Sequence, residues 1–491
     1  MIRRQPRCLE VDDHDGFHRG PPGCGLAGAA RGKSATYRIL GKRFALNNLC
    51  LGIAGSYQRC SACHAGYGWS DGDFDFTAED LVDCLVCHDT TGTYVKFPIG
   101  AGHPPYEDTP FRGDLFRAPD LVEVAQHVGP TSRATCGACH FEGGGGDAVK
   151  HGDLDGSLSA PTRALDVHMP PDGRNFQCST CHEFSGHVQE GSRYQVTAKP
   201  MSGIAVPGRD SDRLACESCH GTAPHRPGVH DKLNEHVEVT ACQTCHIPTM
   251  ARGGRPTKTP WDWSTAGRRD DAGRPIVEER DGLVVYDGMK GDLRWAENLR
   301  PEYRWFNGTM RYTLLGDAID PDATVAINRP EGDATDPGAR IWPFKIIDGR
   351  QPYDTRHQTL LVARLFGPDE TAYWRGYDWD KALHAGMAEA RRVGQSDATY
   401  SGEFGFVDTR MYWPVSHMVA PAEDAIRCGA CHRRHGLLDD LVTGYVPGRD
   451  RHPLIESIGW WAVALTFLAV AGHGLARYLA YRRRSAQEST G

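Results

Sequence analysis

The sequence is short of apolar residues for its length. Hydrophobic types make up 40% of 491 residues and mean hydropathy is −0.49, little for the roughly two to four ordinary domains such a chain could hold. Something other than side chains must therefore supply buried apolar surface. Positive charge is not in excess either: 55 Lys and Arg against 63 Asp and Glu leave a net charge of −8, which excludes a generally basic nucleic-acid binder. Residues 1–37 are rich in Arg, Gly, Pro and Asp and lack the apolar stretch of a secretory signal. Apolar alternation is too weak to predict a large sheet. Beyond four consecutive glycines at 143–146, no low-complexity tract occurs.

Cysteine and histidine are plentiful, and they recur in one pattern. Cys-x-x-Cys-His occurs seven times, where chance in such a composition would give about 0.03 copies. The copies are Cys60, Cys63 and His64; Cys84, Cys87 and His88; Cys136, Cys139 and His140; Cys178, Cys181 and His182; Cys216, Cys219 and His220; Cys242, Cys245 and His246; and Cys428, Cys431 and His432. This is the spacing of c-type haem attachment: two thiols form thioethers to one porphyrin edge, and the adjacent histidine turns its imidazole onto the iron. Zinc knuckles and disulfide scaffolds also use Cys pairs, but neither explains a histidine directly after every second cysteine. Haem c is thus the expected cofactor, and its faces would furnish the missing apolar core.

Such attachment is normally completed outside the bacterial cytoplasm, so an exported protein is expected. Residues 458–476 (IGWWAVALTFLAVAGHGLA) are apolar save Thr466 and His473 and are long enough to cross a bilayer. Trp460 and Trp461 lie at one end, with Arg477, Arg482, Arg483 and Arg484 at the other. The positive-inside rule then puts the C-terminus in the cytoplasm and the body on the periplasmic side of the inner membrane. A buried core helix is the alternative reading of this segment. His473 is either functional or merely tolerated near the interface.

Six motifs fall before residue 250 and the seventh follows a long gap. The expected organisation is an atypical N-terminus (1–37), a six-haem catalytic core (38–250), a haem-free section rich in Trp and Tyr (251–425), the last haem motif (426–450), a transmembrane anchor (455–481) and a cytoplasmic tail (482–491). The clearest helical pattern is WDKALHAGMAEARRV, from Trp379 to Val393. The predicted fold class is mainly α with extensive irregular loops, built around a packed haem array, plus one C-terminal transmembrane helix.

An electron-transfer haem usually closes its second axial position with another histidine. His151, His168, His187, His225, His236 and His417 lie in turn-rich stretches near the motifs and are the candidates, with His103, His127, His230, His357, His384, His435 and His452 in reserve. Six candidates for seven motifs leave one iron short, and this turns attention to Lys150, which follows the glycines in CGACHFEGGGGDAVKHGDLD. Lysine ligates a metal only as the neutral amine, which burial and a bound cation both favour. The glycines would let the backbone take positive φ and approach a flat porphyrin closely. A surface loop carrying a solvated lysine is the competing reading.

Several long segments, among them GKRFALNNLC, CSACHAGYGW, VDCLVCHDTTGTY, CGACHFEGGGGDAVKHGDLD, CQTCHIP, YRWFNGT, SGEFGFVDT and MYWPVSHMVAP, resemble the octahaem tetrathionate reductase family of periplasmic multihaem cytochromes c. The resemblance implies a lysine-ligated haem as the active site, with Lys150 as the lysine, Asp147, Asn47 and Cys50 in its pocket, and the haem at Cys60, Cys63 and His64 as the one served. It also implies eight motifs where seven are present. The missing motif and the missing signal both fall before residue 41, so a wrong start site or an upstream frameshift is expected to account for them together.

The expected activity is two-electron reduction of tetrathionate to thiosulfate in anaerobic respiration, with electrons relayed through the other haems from a membrane quinol-linked or cytochrome donor. Lys150 and nearby cations would offset the dianion, Asp147 and Asn47 would orient it, and Cys50 could exchange with its S–S bond; Cys50 as a plain buried thiol is the alternative. The rival functions are reduction of nitrite or hydroxylamine and pure electron transfer without chemistry.

Overall fold

The computed structural model describes residues 36–37, 44–182, 184–185, 187–189 and 215–488. Cys8, Cys24 and almost all of the N-terminal stretch lie outside them. The chain divides into two compact units, 1–426 and 427–491.

The first unit is not mainly α. A nine-stranded mixed sheet runs through it, in the order Val325–Ala326, Phe404–Pro414, Arg340–Asp354, Thr257–Asp262, Gly291–Ala296, Leu283–Asp287, Val277–Arg280, with Glu302–Phe306 and Thr359–Leu360 also pairing with the long strand Arg340–Asp354. The expectation of a fold without a large sheet is therefore wrong, and the reason is physical. Along Phe404–Pro414 the residues Val407, Thr409, Met411 and Trp413 face one side, yet Tyr412 between them is buried too. Along Arg340–Asp354, Ile347 joins the cluster around Leu46, Leu49, Trp261 and Met411, whereas Trp342 and Phe344 join another around Ala45, Phe306 and Tyr412. Strands covered on both faces read as continuous apolar runs rather than alternation.

The predicted helix is present as Trp379–Arg392. Asp378 caps it by accepting from the Lys381 amide, and Ala382, Leu383, Gly386, Met387 and Ala390 form the buried face. Gly386 is needed there, because a Cβ would fall 2.2 Å from the Val362 carbonyl oxygen.

The motifs occupy short helices, most of them a single turn. Examples are Leu85–His88, Arg133–His140, Cys178–Cys181, Glu217–His220 and Cys242–His246. One turn places the two cysteines of Cys-x-x-Cys, three residues apart, on the same side. The helix Arg133–His140 is the longest of these and begins with a Ser132–Thr135 capping box.

The second unit holds the motif helix Cys428–Cys431 and the helix Pro453–Glu488. The His432 Nδ1 lies 3.1 Å from the Pro447 carbonyl oxygen. The span Pro453–Ser485 has hydropathy 1.8 and is long and apolar enough to cross a membrane.

Candidate haem sites and lysine pocket

The motif thiols come together across the sequence. Cys63 lies near Cys139, Cys136 near Cys178, and Cys216 near Cys242, close enough for each thiol to shift its partner's titration. Attachment points of the first, third and fourth motifs, and of the fifth and sixth, are thus neighbours.

Four motif histidines each face a histidine from outside the motifs. Ring centres are 6.3 Å apart for His88 and His187, 6.1 Å for His220 and His168, 6.2 Å for His182 and His417, and 6.3 Å for His246 and His225. With metal–nitrogen bonds of roughly 2.0 Å, two imidazoles on opposite sides of one metal ion have centres about 6.2 Å apart. The residues present therefore fit haem iron with two axial histidines. Among the described residues no group of three His, Cys, Asp or Glu forms a metal cage; the arrangement is one of opposed pairs.

Neighbouring groups fix these rings, as ligating imidazoles require. The His88 Nδ1 lies 2.8 Å from the Gly129 carbonyl oxygen. The Asn234 Oδ1 lies 3.1 Å from the His225 Nδ1 and also accepts from the His225 amide. Asp166 accepts from the amides of His168, Met169 and Val419. Asp153 accepts from the amides of Ser416 and His417, and its Oδ2 stands 3.3 Å from the His417 Nδ1. Burial pushes the His182 pKa down to about 4, with His417 and His140 adding to the fall, which favours the neutral ring a ligand needs; for His417 opposite it, Asp153 outweighs burial and raises the pKa. Nothing in the residue pattern marked Asp153, Asp166 or Asn234, because they act only through long-range contacts.

His64 is buried, with Trp69, Phe74 and Phe76 presenting edges to its ring at 5.3, 5.2 and 6.1 Å. Behind it lies a buried network. Lys96 donates to the His64 and Gly66 carbonyls and pairs with Asp83 at 3.2 Å, and Asp83 accepts from the hydroxyls of Tyr67 and Tyr94, each at 2.7 Å. Burial holds both phenols protonated, far above the usual tyrosine range.

The Lys150 loop is folded rather than open. Gly144 and Gly145 have positive φ, as does Ala148. Gly143 does something else: a Cβ there would come within 3.1 Å of the Lys150 Cδ, so the glycine makes room for the lysine stem. The Lys150 Nζ lies 5.0 Å from the centre of the Trp413 ring, and the His151 ring meets the same indole edge-on at 5.6 Å. From the sheet, the fully buried Lys345 donates to the carbonyls of Val149 and Lys150, at 3.0 and 3.1 Å, and to the Thr257 hydroxyl.

The other pocket candidates sit around this loop in part. Leu49 packs at Gly144, which brings the Asn47–Cys50 turn alongside. The Asn47 Oδ1 accepts from the amides of Leu49 and Cys50, fixing the turn. Cys50 is half-buried against the main core cluster. The two Asp147 oxygens are engaged elsewhere, Oδ1 with the Gly156 amide and Oδ2 with Arg255 at 2.6 Å. His236 is exposed, its Nδ1 on the Lys232 carbonyl. Sequence reasoning missed Lys345, Trp413 and Arg255, whose roles exist only once the sheet has formed.

Residues 258–435 match the family model described as bacterial cytochrome c. No curated protein matches significantly. Among solved structures, an octahaem cytochrome c from Shewanella oneidensis is similar, with 39% identity over 86% of this chain and 88% of that one and a TM-score of 0.70.

Proposed function

We infer the activity of this chain from one premise: it belongs to the octahaem cytochrome c family, in the group resembling octahaem tetrathionate reductase. It is a multihaem c-type cytochrome of a redox family. Its activity, on our reading, is reduction of tetrathionate to thiosulfate at the lysine pocket. The observation that carries this is Lys150 itself, its stem against Gly143, its amine over Trp413 and its backbone held by Lys345.

Bound haem c would supply one-electron storage and transfer at each motif. His187, His168, His417 and His225 would serve as the second ligands at the motifs of His88, His220, His182 and His246. Lys150 would help hold the haem of the His64 motif through its amine, and the proximity of Cys63 to Cys139 supports the nearness of that motif to the lysine segment. The chain's own contribution at the pocket is position and charge. Arg255, which anchors Asp147 beside the loop, offers a cationic group to an anionic substrate, and the Asn47 turn presents Cys50 to the S–S bond. The helix Pro453–Glu488 would hold the body on the periplasmic side, within reach of a quinol-linked or cytochrome donor.

The test is turnover by the purified, haem-loaded protein with reduced methyl viologen as donor. Tetrathionate should be consumed faster than nitrite or hydroxylamine; the reverse order would move the activity to nitrogen oxyanions. A second reading, electron transfer without chemistry, draws on the four opposed histidine pairs, since an iron closed on both sides binds no substrate. It predicts no spectral change on titration with small anions.

A further inference from the structure

Asp153 follows Lys150 in the same loop and is 2% exposed. Its Oδ2 accepts from the amides of Ser416 and His417 at 2.7 and 3.0 Å and stands 3.3 Å from the His417 Nδ1. The same two segments also meet further back, where the Lys150 Nζ lies over the Trp413 ring and the His151 ring meets its edge. The lysine loop is therefore fastened along residues 413–417. The strap ends in His417, the ring that faces His182.

The other opposed pairs have different neighbours. The His88 Nδ1 has the Gly129 carbonyl oxygen at 2.8 Å, and the His225 Nδ1 has the Asn234 amide oxygen at 3.1 Å, both neutral acceptors. Asp166 stands 3.8 Å from the His168 Nδ1, beyond a hydrogen bond. The buried His182 Nδ1 has no hydrogen-bond partner among the described residues. Among those residues, His417 is the one ring of these four pairs with a carboxylate at hydrogen-bonding distance.

A histidine that gives its Nε2 to a metal keeps its remaining proton on Nδ1, and an acceptor there raises the basicity of the ligand. An anionic acceptor does so more strongly than a neutral one. We propose that Asp153 lowers the reduction potential of the haem held at Cys178, Cys181 and His182, by drawing on the Nδ1 proton of His417 and making that ring a stronger ligand for oxidised iron. The proton stays between Nδ1 and Oδ2, and no bond breaks. Asp153 touches neither substrate nor iron, so it is a positioning residue that acts through His417. Because it belongs to the lysine loop, it links the tuning of that haem to the pocket. The inference deepens the reductase reading, in which this haem would pass electrons to the pocket, and it rests on that reading for its purpose.

The test uses Asp153→Asn, which keeps an acceptor oxygen for the Ser416 and His417 amides and removes the charge. Redox titration of the full-length, haem-loaded protein is followed by magnetic circular dichroism. One low-spin haem should shift its reduction equilibrium at least about tenfold toward the reduced form, about 59 mV for one electron, with no haem turning high-spin. Asp153→Glu, which keeps the charge, should shift it less. A residue that merely held the loop would leave Asp153→Asn titrating like the wild type, and that result would overturn the proposal. A second measurement needs no Asp153 variant to fold. In the wild type, the near-infrared charge-transfer band that His417→Ala abolishes should lie at higher energy than the one that His225→Ala abolishes, where the acceptor is neutral; equal energies would also sink the idea. A shifted potential in a protein that does not consume tetrathionate would leave Asp153 in its role and remove the substrate. Tetrathionate turnover with an unshifted potential would keep the substrate and remove the role.

Discussion

Lys345 and Trp413 stand directly opposite each other in the antiparallel pair of Arg340–Asp354 with Phe404–Pro414, and both reach Lys150. Lys345 holds its carbonyl and Trp413 lies beneath its amine. One rung of the sheet thus sets both ends of the residue on which the functional reading turns. Three acceptors converge on the Lys345 Nζ, and the Thr257 hydroxyl among them already donates to Ala148 at 2.6 Å. A neutral amine has only two N–H groups, so the ammonium form fits this cage. Burial pulls the Lys345 pKa well below the usual lysine value, while Asp153 opposes that fall.

Lys345→Met should strand those acceptors and loosen the loop. A loss of about 2–4 kcal/mol in stability is expected, with turnover falling more than haem content. Thermal denaturation of the haem-loaded protein and the haem-to-protein ratio measure the two effects. An unchanged melting temperature would mean that the loop holds itself.

Lys150→Met should leave attachment of haem intact and perturb one haem spectrum, cutting tetrathionate turnover by about two to three orders of magnitude. A solvated lysine would lose at most about 0.5 kcal/mol of stability and no activity. Near-normal turnover with an unshifted spectrum would favour the electron-transfer reading.

His225→Ala should convert one low-spin haem to a high-spin or ligand-exchangeable form, because the ring facing His246 at 6.3 Å is removed. Asn234→Ala, which releases the His225 ring together with its amide and carbonyl, should keep the low-spin state and change that haem's reduction potential. Magnetic circular dichroism and a redox titration distinguish the cases; an unaltered spectrum in His225→Ala would remove the pairing.

Asp354 accepts from the amides of Arg356, His357 and Ser401 and from the Ser401 hydroxyl. Burial works against its charge, but these bonds and His357 outweigh it and hold the carboxyl below its ordinary value. The folded state then binds this proton less readily than the unfolded chain. The stabilisation is present in full above an unfolded pKa of about 3.9 and is lost as pH falls through the folded value. Asp354→Asn should flatten this part of the acid limb of a stability-against-pH curve, and an unchanged limb would contradict the assignment.

Protease added to spheroplasts should digest the haem-bearing body and spare a small C-terminal fragment containing the arginines at 482–484. The expectation follows from the apolar span and its flanking charges. Full protection of the body would reverse the topology.

Local chemistry was legible along the chain. Seven attachment motifs, the helix Trp379–Arg392, the apolar C-terminal helix and the peculiarity of Lys150 after its glycines are all written in residues a few positions apart. The sheet was not legible, because strands such as Arg340–Asp354 are buried on both faces and lose the alternation that would announce them. Neither was the pairing of His182 with His417 or of Lys345 with Lys150, the latter 195 residues apart. Motifs and amphipathic helices are specified by neighbours along the chain. Which imidazoles face each other, and which buried cation holds a lysine loop, depends on long-range packing that the sheet alone brings about.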